Sequence, residues 1–282
     1  MLSQISEYRS KQSNIHLLSN VTSLAYQALV YTFIIFLLLP LAIIPLISIG
    51  QNRYAVHLPQ EFTLRWYQQL PRVFANFSFW EAVTTSLTIA VLTATISTII
   101  GGLAAFGIVR HEFKYSTTLQ TILISPLVFP WLLIGLGILL LVSRIPFIET
   151  SFWVLLIGHI TFSIPYGIRT IGSSLENYDK SIDEAARDLG ATKLETIRKV
   201  TLPLIKPGIV SSMVIIFILS FNMFIITLFL KGAGTKTVPI LIFNLLRIVS
   251  PAVIAAIATV LMVGQLGLVL FTEVFVGISD YL

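Results

Sequence analysis

Cysteine is absent from all 282 residues, which excludes disulfides, thiolate nucleophiles and cysteine-ligated metals. Charge is scarce as well: 11% of the residues are charged and 56% are hydrophobic, whereas a soluble domain carries about 25% charged residues. The net charge of +5 is scattered, with no lysine or arginine run and no RNA- or DNA-binding signature, so nucleic acid is not an expected partner. A glycine-rich phosphate cradle is also missing. Its nearest imitation, "KGAGTKT" (231–237), has Thr235 where G-x-x-x-x-G-K-[ST] demands glycine, and reads as a turn. No cofactor is therefore expected on this chain.

What is present is long apolar sequence. A helix needs about 20 such residues to cross the hydrocarbon core of a bilayer. Six windows qualify, at about 27–50, 83–109, 118–142, 152–172, 208–230 and 253–276. The expected chain is thus an all-α, polytopic membrane protein: a polar tail over 1–26, a six-helix domain over 27–276 and a short tail over 277–282. Six crossings put both ends on one side. That side and its loops would hold eleven lysines and arginines against seven opposite, which by the positive-inside rule places both termini in the cytoplasm. On the other side, "LRWYQQLPRVFANFSFW" (64–80) reads as a short interfacial helix, with Trp66, Tyr67 and Trp80 as membrane anchors.

Between the fourth and fifth windows lies a polar island, "EAARDLGATKLETIRKVTLPLIKPG" (184–208). Two helix starts are coded eleven residues apart, Ser181-Ile-Asp-Glu184 and Thr192-Lys-Leu-Glu195, each fitting a capping box. Gly190 stands between them, able to take the left-handed conformation that ends a helix. Pro203 is expected to stop the second helix and Pro207 to open the next span. The segment reads as helix, sharp turn, helix. Ala185 and Ala186, with Leu189, Leu194 and Ile197, would form a small-residue apolar patch on it.

The series Glu184-Ala185-Ala186, Gly190, Val200, Leu202 and Pro203 resembles the "EAA" loop of inner-membrane permeases of binding-protein-dependent ABC importers, with Val200 where isoleucine is usual. "TLRWYQQL" (63–70), "HITFSIPY" (159–166), "IDEAARDLGAT" (182–192) and "SPAVIAAIAT" (250–259) are similar to its spermidine/putrescine branch. The resemblance implies the type I importer permease fold, shared with molybdate and methionine permeases, in a bacterial inner membrane. It implies that 173–207 is a cytoplasmic coupling loop, with Glu184, Ala185, Ala186, Leu189, Gly190, Leu202 and Pro203 meeting an ATPase. The implied partners are a second, different permease chain, an ATPase dimer that binds ATP and Mg, an extracytoplasmic solute-binding protein and membrane lipid.

Polar groups inside apolar spans are the candidates for lining a solute pathway: Trp131, His159, Ser163, Tyr166, Ser220 and Asn222. Ser125 and Gln265 are read instead as helix–helix hydrogen-bonding residues. One position departs from the polyamine branch. Relatives carry S-x-D-[DE] where this chain has Ser220-Phe221-Asn222-Met223, so a multiply charged cation loses its expected carboxylate partners here. Opines, phosphonates, thiamine and ferric iron stay open as alternative solutes. A rival reading, an intramembrane hydrolase using Ser163 with His159 as base, needs those two side chains, four apart on one helix, within hydrogen-bond reach. It has no nucleophile elbow and no third residue to orient the imidazole.

Overall fold

A computed structural model describes residues 2–52, 59, 61–111 and 114–276, and the side chains of these apart from 2–22 and 275–276. The expected tail at 277–282 lies outside them. The described residues are helical in the order α1 (Leu2–Ser48), α2 (Arg65–Asn76), α3 (Phe79–Arg110), α4 (Ser116–Ile124), α5 (Trp131–Arg144), α6 (Phe152–Glu176), α7 (Ser181–Asp188), α8 (Lys193–Thr196), α9 (Leu202–Leu204), α10 (Lys206–Phe221), α11 (Ile225–Leu230), α12 (Val238–Leu245) and α13 (Pro251–Val276). Among the described residues, four stretches are long and apolar enough to cross a membrane alone: Ser23–Ser48, Phe79–Arg110, Phe152–Glu176 and Pro251–Val274. Two bent pairs, Ser116–Leu127 with Trp131–Arg144 and Lys193–Leu204 with Lys206–Phe221, bring the number of spans to six.

Three departures from the hydropathy reading have physical causes. The helix that holds the first span extends back to Leu2, through the segment expected as a polar tail, while the stretch apolar enough to cross begins at Ser23. The third span bends by 96° where "SPLVFP" (125–130) places two prolines four residues apart. Each removes a backbone donor, and Pro130 itself, with ψ 131°, lies outside helical geometry as the N-cap of α5. The fifth window is two helices, α10 and α11, separated at 222–224.

Two compact units are present, Met1–Gln68 with Ser250–Thr259, and Gln69–Val249 with Val260–Leu282. In the first, Trp66 is buried and its Nε1 donates to the Gly50 carbonyl at 2.6 Å, while the Tyr67 hydroxyl pairs with Ser48 Oγ at 2.7 Å. These two side chains fasten the start of α2 to the end of α1 and are not the lipid anchors expected of them. Trp80, 66% exposed, keeps that expectation.

The second unit is organised by α3 against α6. Along α3, Ala90, Ala94, Ser97, Thr98, Gly101 and Ala105 are all buried. Small residues let membrane helices approach until backbone meets backbone, where dispersion and Cα–H contacts replace a hydrophobic driving force that lipid does not supply. A Cβ on Gly101 would lie 2.9 Å from the Gly167 backbone, and one on Gly167 would lie 2.9 Å from the Ser97 carbonyl. Ser97 Oγ donates to the Ile160 carbonyl at 3.3 Å, and the Thr98 and Ser212 hydroxyls meet at 3.3 Å, adding α10 to the pair. Gly101→Leu is therefore expected to force α3 and α6 apart and cost about 3 kcal/mol. It should lower the thermal midpoint of the detergent-solubilised protein. Gly107→Ala, on the same helix but with nothing within 4 Å of the added Cβ, should not. Equal midpoints for the two variants would refute this packing.

The two ends of the unit are chemically distinct. At one, Lys236 Nζ reaches Glu81 Oε2 at 2.8 Å and Ser78 Oγ at 3.1 Å, and the Val238 amide donates to Ser86 Oγ at 2.9 Å. The "KGAGTKT" turn thus closes onto the start of α3. The polar island occupies the other end.

Candidate functional site

The island folds as a hairpin of short helices. After α7, Leu189 is the C-cap and Gly190 takes φ +95°, where a side chain would be strained. The Ala191 amide reaches the Ala186 carbonyl at 3.1 Å and the Gly190 amide reaches the Arg187 carbonyl at 2.9 Å, the paired bonds of a Schellman turn. Thr192 then starts α8 with a complete capping box. The Glu195 carboxyl is held down at about 2, first by the Thr192 amide and then by Lys199. Its folded value lies below the ordinary 4.5, so the box is intact at neutral pH and is lost as acid carries the carboxyl down through about 2.

The first expected cap does not form. Lys180 is the N-cap of α7 and makes no side-chain cap bond; the Ser181 amide is taken at 2.9 Å by Asp179 Oδ1. Asp179 thus takes the amide that the Glu184 carboxyl of a capping box would accept, and the Glu184 amide, which the Ser181 hydroxyl would cap, goes instead to the Lys180 carbonyl at 3.3 Å. Nor does Pro203 stop the second helix. A π turn over Ile197–Thr201 precedes it, and helix continues to Leu204 before a 63° bend at Ile205. The wider i→i+5 pattern of a π turn accommodates a residue that cannot donate to the carbonyl four back.

The residues expected to meet a partner are presented outward. Glu184, Ala185, Gly190, Leu202 and Pro203 are exposed and Ala186 is half-buried. Leu189, at the tip, is 90% exposed, and Leu194 is 74% exposed. Ile197 departs from the expected patch, turning inward to line a 350 Å³ apolar cavity with Ile99, Phe106 and Ile209.

A second constellation surrounds the break between α10 and α11. His159 is buried on α6; its Nδ1 lies 2.8 Å from Ser220 Oγ, in the last turn of α10, and its Nε2 lies 2.9 Å from Thr227 Oγ1, in the first turn of α11. The Thr227 hydroxyl donates to the Met223 carbonyl at 2.5 Å. Its one proton is committed there, so its oxygen accepts from Nε2–H. In the neutral ring Nδ1 is then the acceptor, and the Ser220 hydroxyl donates to it. One imidazole holds both sides of the gap.

Beside the gap, Asn222 is exposed, and its amide exchanges two hydrogen bonds of 3.1 Å with Gln265 of α13 while Nδ2 also donates to Ile218 at 2.9 Å. A 290 Å³ cavity opens next to it, walled by Phe224, Val238, Ile242, Phe243 and Leu261. Trp131, 39% exposed, meets Phe162 edge-on at 5.2 Å, and Phe162 meets Tyr166 at 5.8 Å, so α5 and α6 share an aromatic row.

The six pathway candidates thus divide. Trp131, Tyr166 and Asn222 reach the surface of the chain; His159, Ser163 and Ser220 are buried within it. Ser163 Oγ has no hydrogen-bond partner and both His159 nitrogens belong to other hydroxyls, so the hydrolase dyad is not assembled. Ser125 bonds back to the Ile122 carbonyl at 2.8 Å. Thr227 was invisible to the sequence reading, because a threonine in an apolar helix carries no signal of its partner; Gln265 was assigned the hydrogen-bonding role it has, without its partner.

Three comparisons bear on this geometry. The family described as "Binding-protein-dependent transport system inner membrane component" matches residues 97–275. The spermidine/putrescine transport system permease protein PotC of Haemophilus influenzae is 32% identical over 249 residues, 88% of this chain and 94% of that protein. The putrescine transport system permease protein PotI of Escherichia coli is 35% identical over 242 residues, 84% of each. In fold, the chain is similar to one in the crystal structure of a bacterial alginate ABC transporter in complex with alginate pentasaccharide-bound periplasmic protein, at TM-score 0.67 and 20% identity, covering 89% of this chain and 92% of that one. It is also similar to the MetNI methionine ABC transporter in inward-facing conformations, at TM-score 0.55 and 17% identity, covering 74% of this chain and 97% of that one.

Proposed function

The chain belongs to the family of binding-protein-dependent transport system inner membrane components, and from that premise we propose that its polar hairpin is the handle by which an ATP-hydrolysing subunit moves the spans. As a permease subunit of an ABC importer it is a multi-pass membrane protein of the inner membrane type. Hydrolysis, with ATP and Mg, belongs to a separate ATPase pair. The hairpin and both termini face the cytoplasm, a second and different permease completes the pathway, and a solute-binding protein delivers cargo on the opposite side.

The observation that carries this reading is the hairpin's design. Four backbone and side-chain locks, at Asp179, Gly190, Thr192 and Glu195, hold a rigid two-helix tip that offers Leu189 to water. An exposed leucine on a rigid tip gains free energy only when something covers it. The π turn and the 63° bend then carry the tip into α10. Closure of the ATPase pair draws the two permease hairpins together, and the binding energy of ATP selects between inward-open and outward-open states.

The cargo is of polyamine type, the class named for the relatives PotC and PotI. Asn222 and Gln265 give this half of the pathway amides at the helix break. The carboxylates that a di- or triammonium solute requires then come from the second permease. The complete transporter in proteoliposomes should accumulate labelled putrescine or spermidine when ATP and the binding protein are supplied, and unlabelled polyamine should compete while thiamine does not. ATP hydrolysis stimulated by a binding protein carrying another solute, with no polyamine uptake, would overturn the cargo assignment.

A further inference from the structure

Below the hairpin, one carboxylate gathers four elements. Arg110, the last residue of α3, reaches Asp183 Oδ2 on α7 at 2.9 Å. The other oxygen, Oδ1, accepts the Tyr178 hydroxyl at 2.7 Å, just beyond α6, and the Thr201 hydroxyl at 2.9 Å, in the π turn. The Arg110 guanidinium also lies over the Tyr178 ring, its carbon 4.8 Å from the centroid. The Arg110 side chain is 9% exposed and that of Asp183 is 19% exposed, so water screens the pair little. Burial, and then the bond to Asp183, push the Tyr178 phenol up to about 12, which keeps it a donor at any physiological pH.

This cluster joins α7 to the ends of α3 and α6 through polar contacts. Glu184, the first residue of the EAA series, follows Asp183 directly but points outward and is exposed. A force applied at the tip must pass through α7, and the stiffness of α7 against the spans is set where its inward carboxylate is held. The Tyr178 and Thr201 hydroxyls give the carboxylate two charge-assisted hydrogen bonds, the strong and directional kind, while Arg110 holds it as an ion pair without a formed hydrogen bond.

Resting on the reading of the hairpin as the ATPase handle, we propose that Asp183, gripped by Arg110, Tyr178 and Thr201, is the positioning residue that transmits hairpin motion to α3, α6 and the root of α10. It touches neither nucleotide nor solute. Its loss leaves the tip able to dock but lets it swing without moving the spans.

The test uses the whole transporter in nanodiscs and proteoliposomes, with its ATPase, second permease and binding protein. Asp183→Asn and Arg110→Gln should each co-purify with the full complement of ATPase and hydrolyse ATP near the wild-type rate. The ratio of solute imported to ATP hydrolysed should fall about tenfold. The double variant should fall no further than either single one, because both remove the same joint. Tyr178→Phe removes one hydrogen bond and leaves the ion pair, so it provides a readout if the charge variants fail to fold; its ratio should fall about threefold. An unchanged ratio in folded Asp183→Asn or Tyr178→Phe, or multiplicative losses in the double variant, would overturn the proposal. A wild-type chain that never captures an ATPase would instead refute the hairpin reading itself, so the two failures are distinguishable.

Discussion

Leu189→Asp will leave the chain folded and inserted, and will abolish its capture of an ATPase. The side chain is 90% exposed, so replacing it removes almost no contact within the chain, and an exposed substitution of this kind changes stability by about 0.5 kcal/mol or less. Its backbone role as the C-cap before Gly190 is open to any residue, since its φ of −78° and ψ of 5° need no special side chain. The penalty appears only on docking. A carboxylate carried into a groove shaped for leucine loses its water and gains no partner, which costs about 3–5 kcal/mol. That corresponds to roughly a hundredfold to several-thousandfold weaker association. Leu189→Met, close in volume and apolarity, should bind within about tenfold of wild type. Co-elution of the ATPase with the detergent-solubilised permease, and solute uptake by the reconstituted transporter, are the measurements. A Leu189→Asp chain that still retains its ATPase would show that the tip is not the docking surface.

The parts of the hairpin that were legible in sequence are those whose chemistry closes within about six residues. Gly190 needs only its own freedom at positive φ, and the Thr192–Glu195 box needs only the first turn of its helix. Ser181 offered the same pattern and failed, because Asp179 stands close enough to take the Ser181 amide first. Trp66 and Tyr67 misled for a different reason. Amphipathic aromatics satisfy their polar atoms equally well at a lipid headgroup or on a neighbouring backbone, and composition does not distinguish the two. The bend at "SPLVFP" was written in the chain as two prolines, and a hydropathy window averages across them. The break at 222–224 contains neither proline nor glycine. The side chain that bridges it, His159, sits some sixty residues away, so only the assembled fold reveals it.

His159→Leu is the variant expected to separate folding from transport. The leucine fills most of the ring's volume but cannot bond, so the Ser220 hydroxyl loses its acceptor and the Thr227 oxygen its donor. Each buried loss costs about 1–3 kcal/mol, and the Thr227 bond to Met223 survives, so the expected destabilisation is about 2–4 kcal/mol. Replacing all partners by apolar groups of similar shape, as in His159→Leu with Ser220→Ala and Thr227→Val, removes the orphaned groups and should restore much of the thermal midpoint. Transport should not return. Without the staple, the stretch between α10 and α11 is free to close into continuous helix, the form that satisfies its backbone best in an apolar medium. Asn222 would then lose its place opposite Gln265 and beside the cavity. The triple variant should therefore recover stability and ATPase capture while solute uptake stays at least tenfold below wild type, a barrier of about 1.4 kcal/mol or more. If uptake recovers along with stability, the break at 222–224 serves packing alone and the amide pair is not part of the pathway.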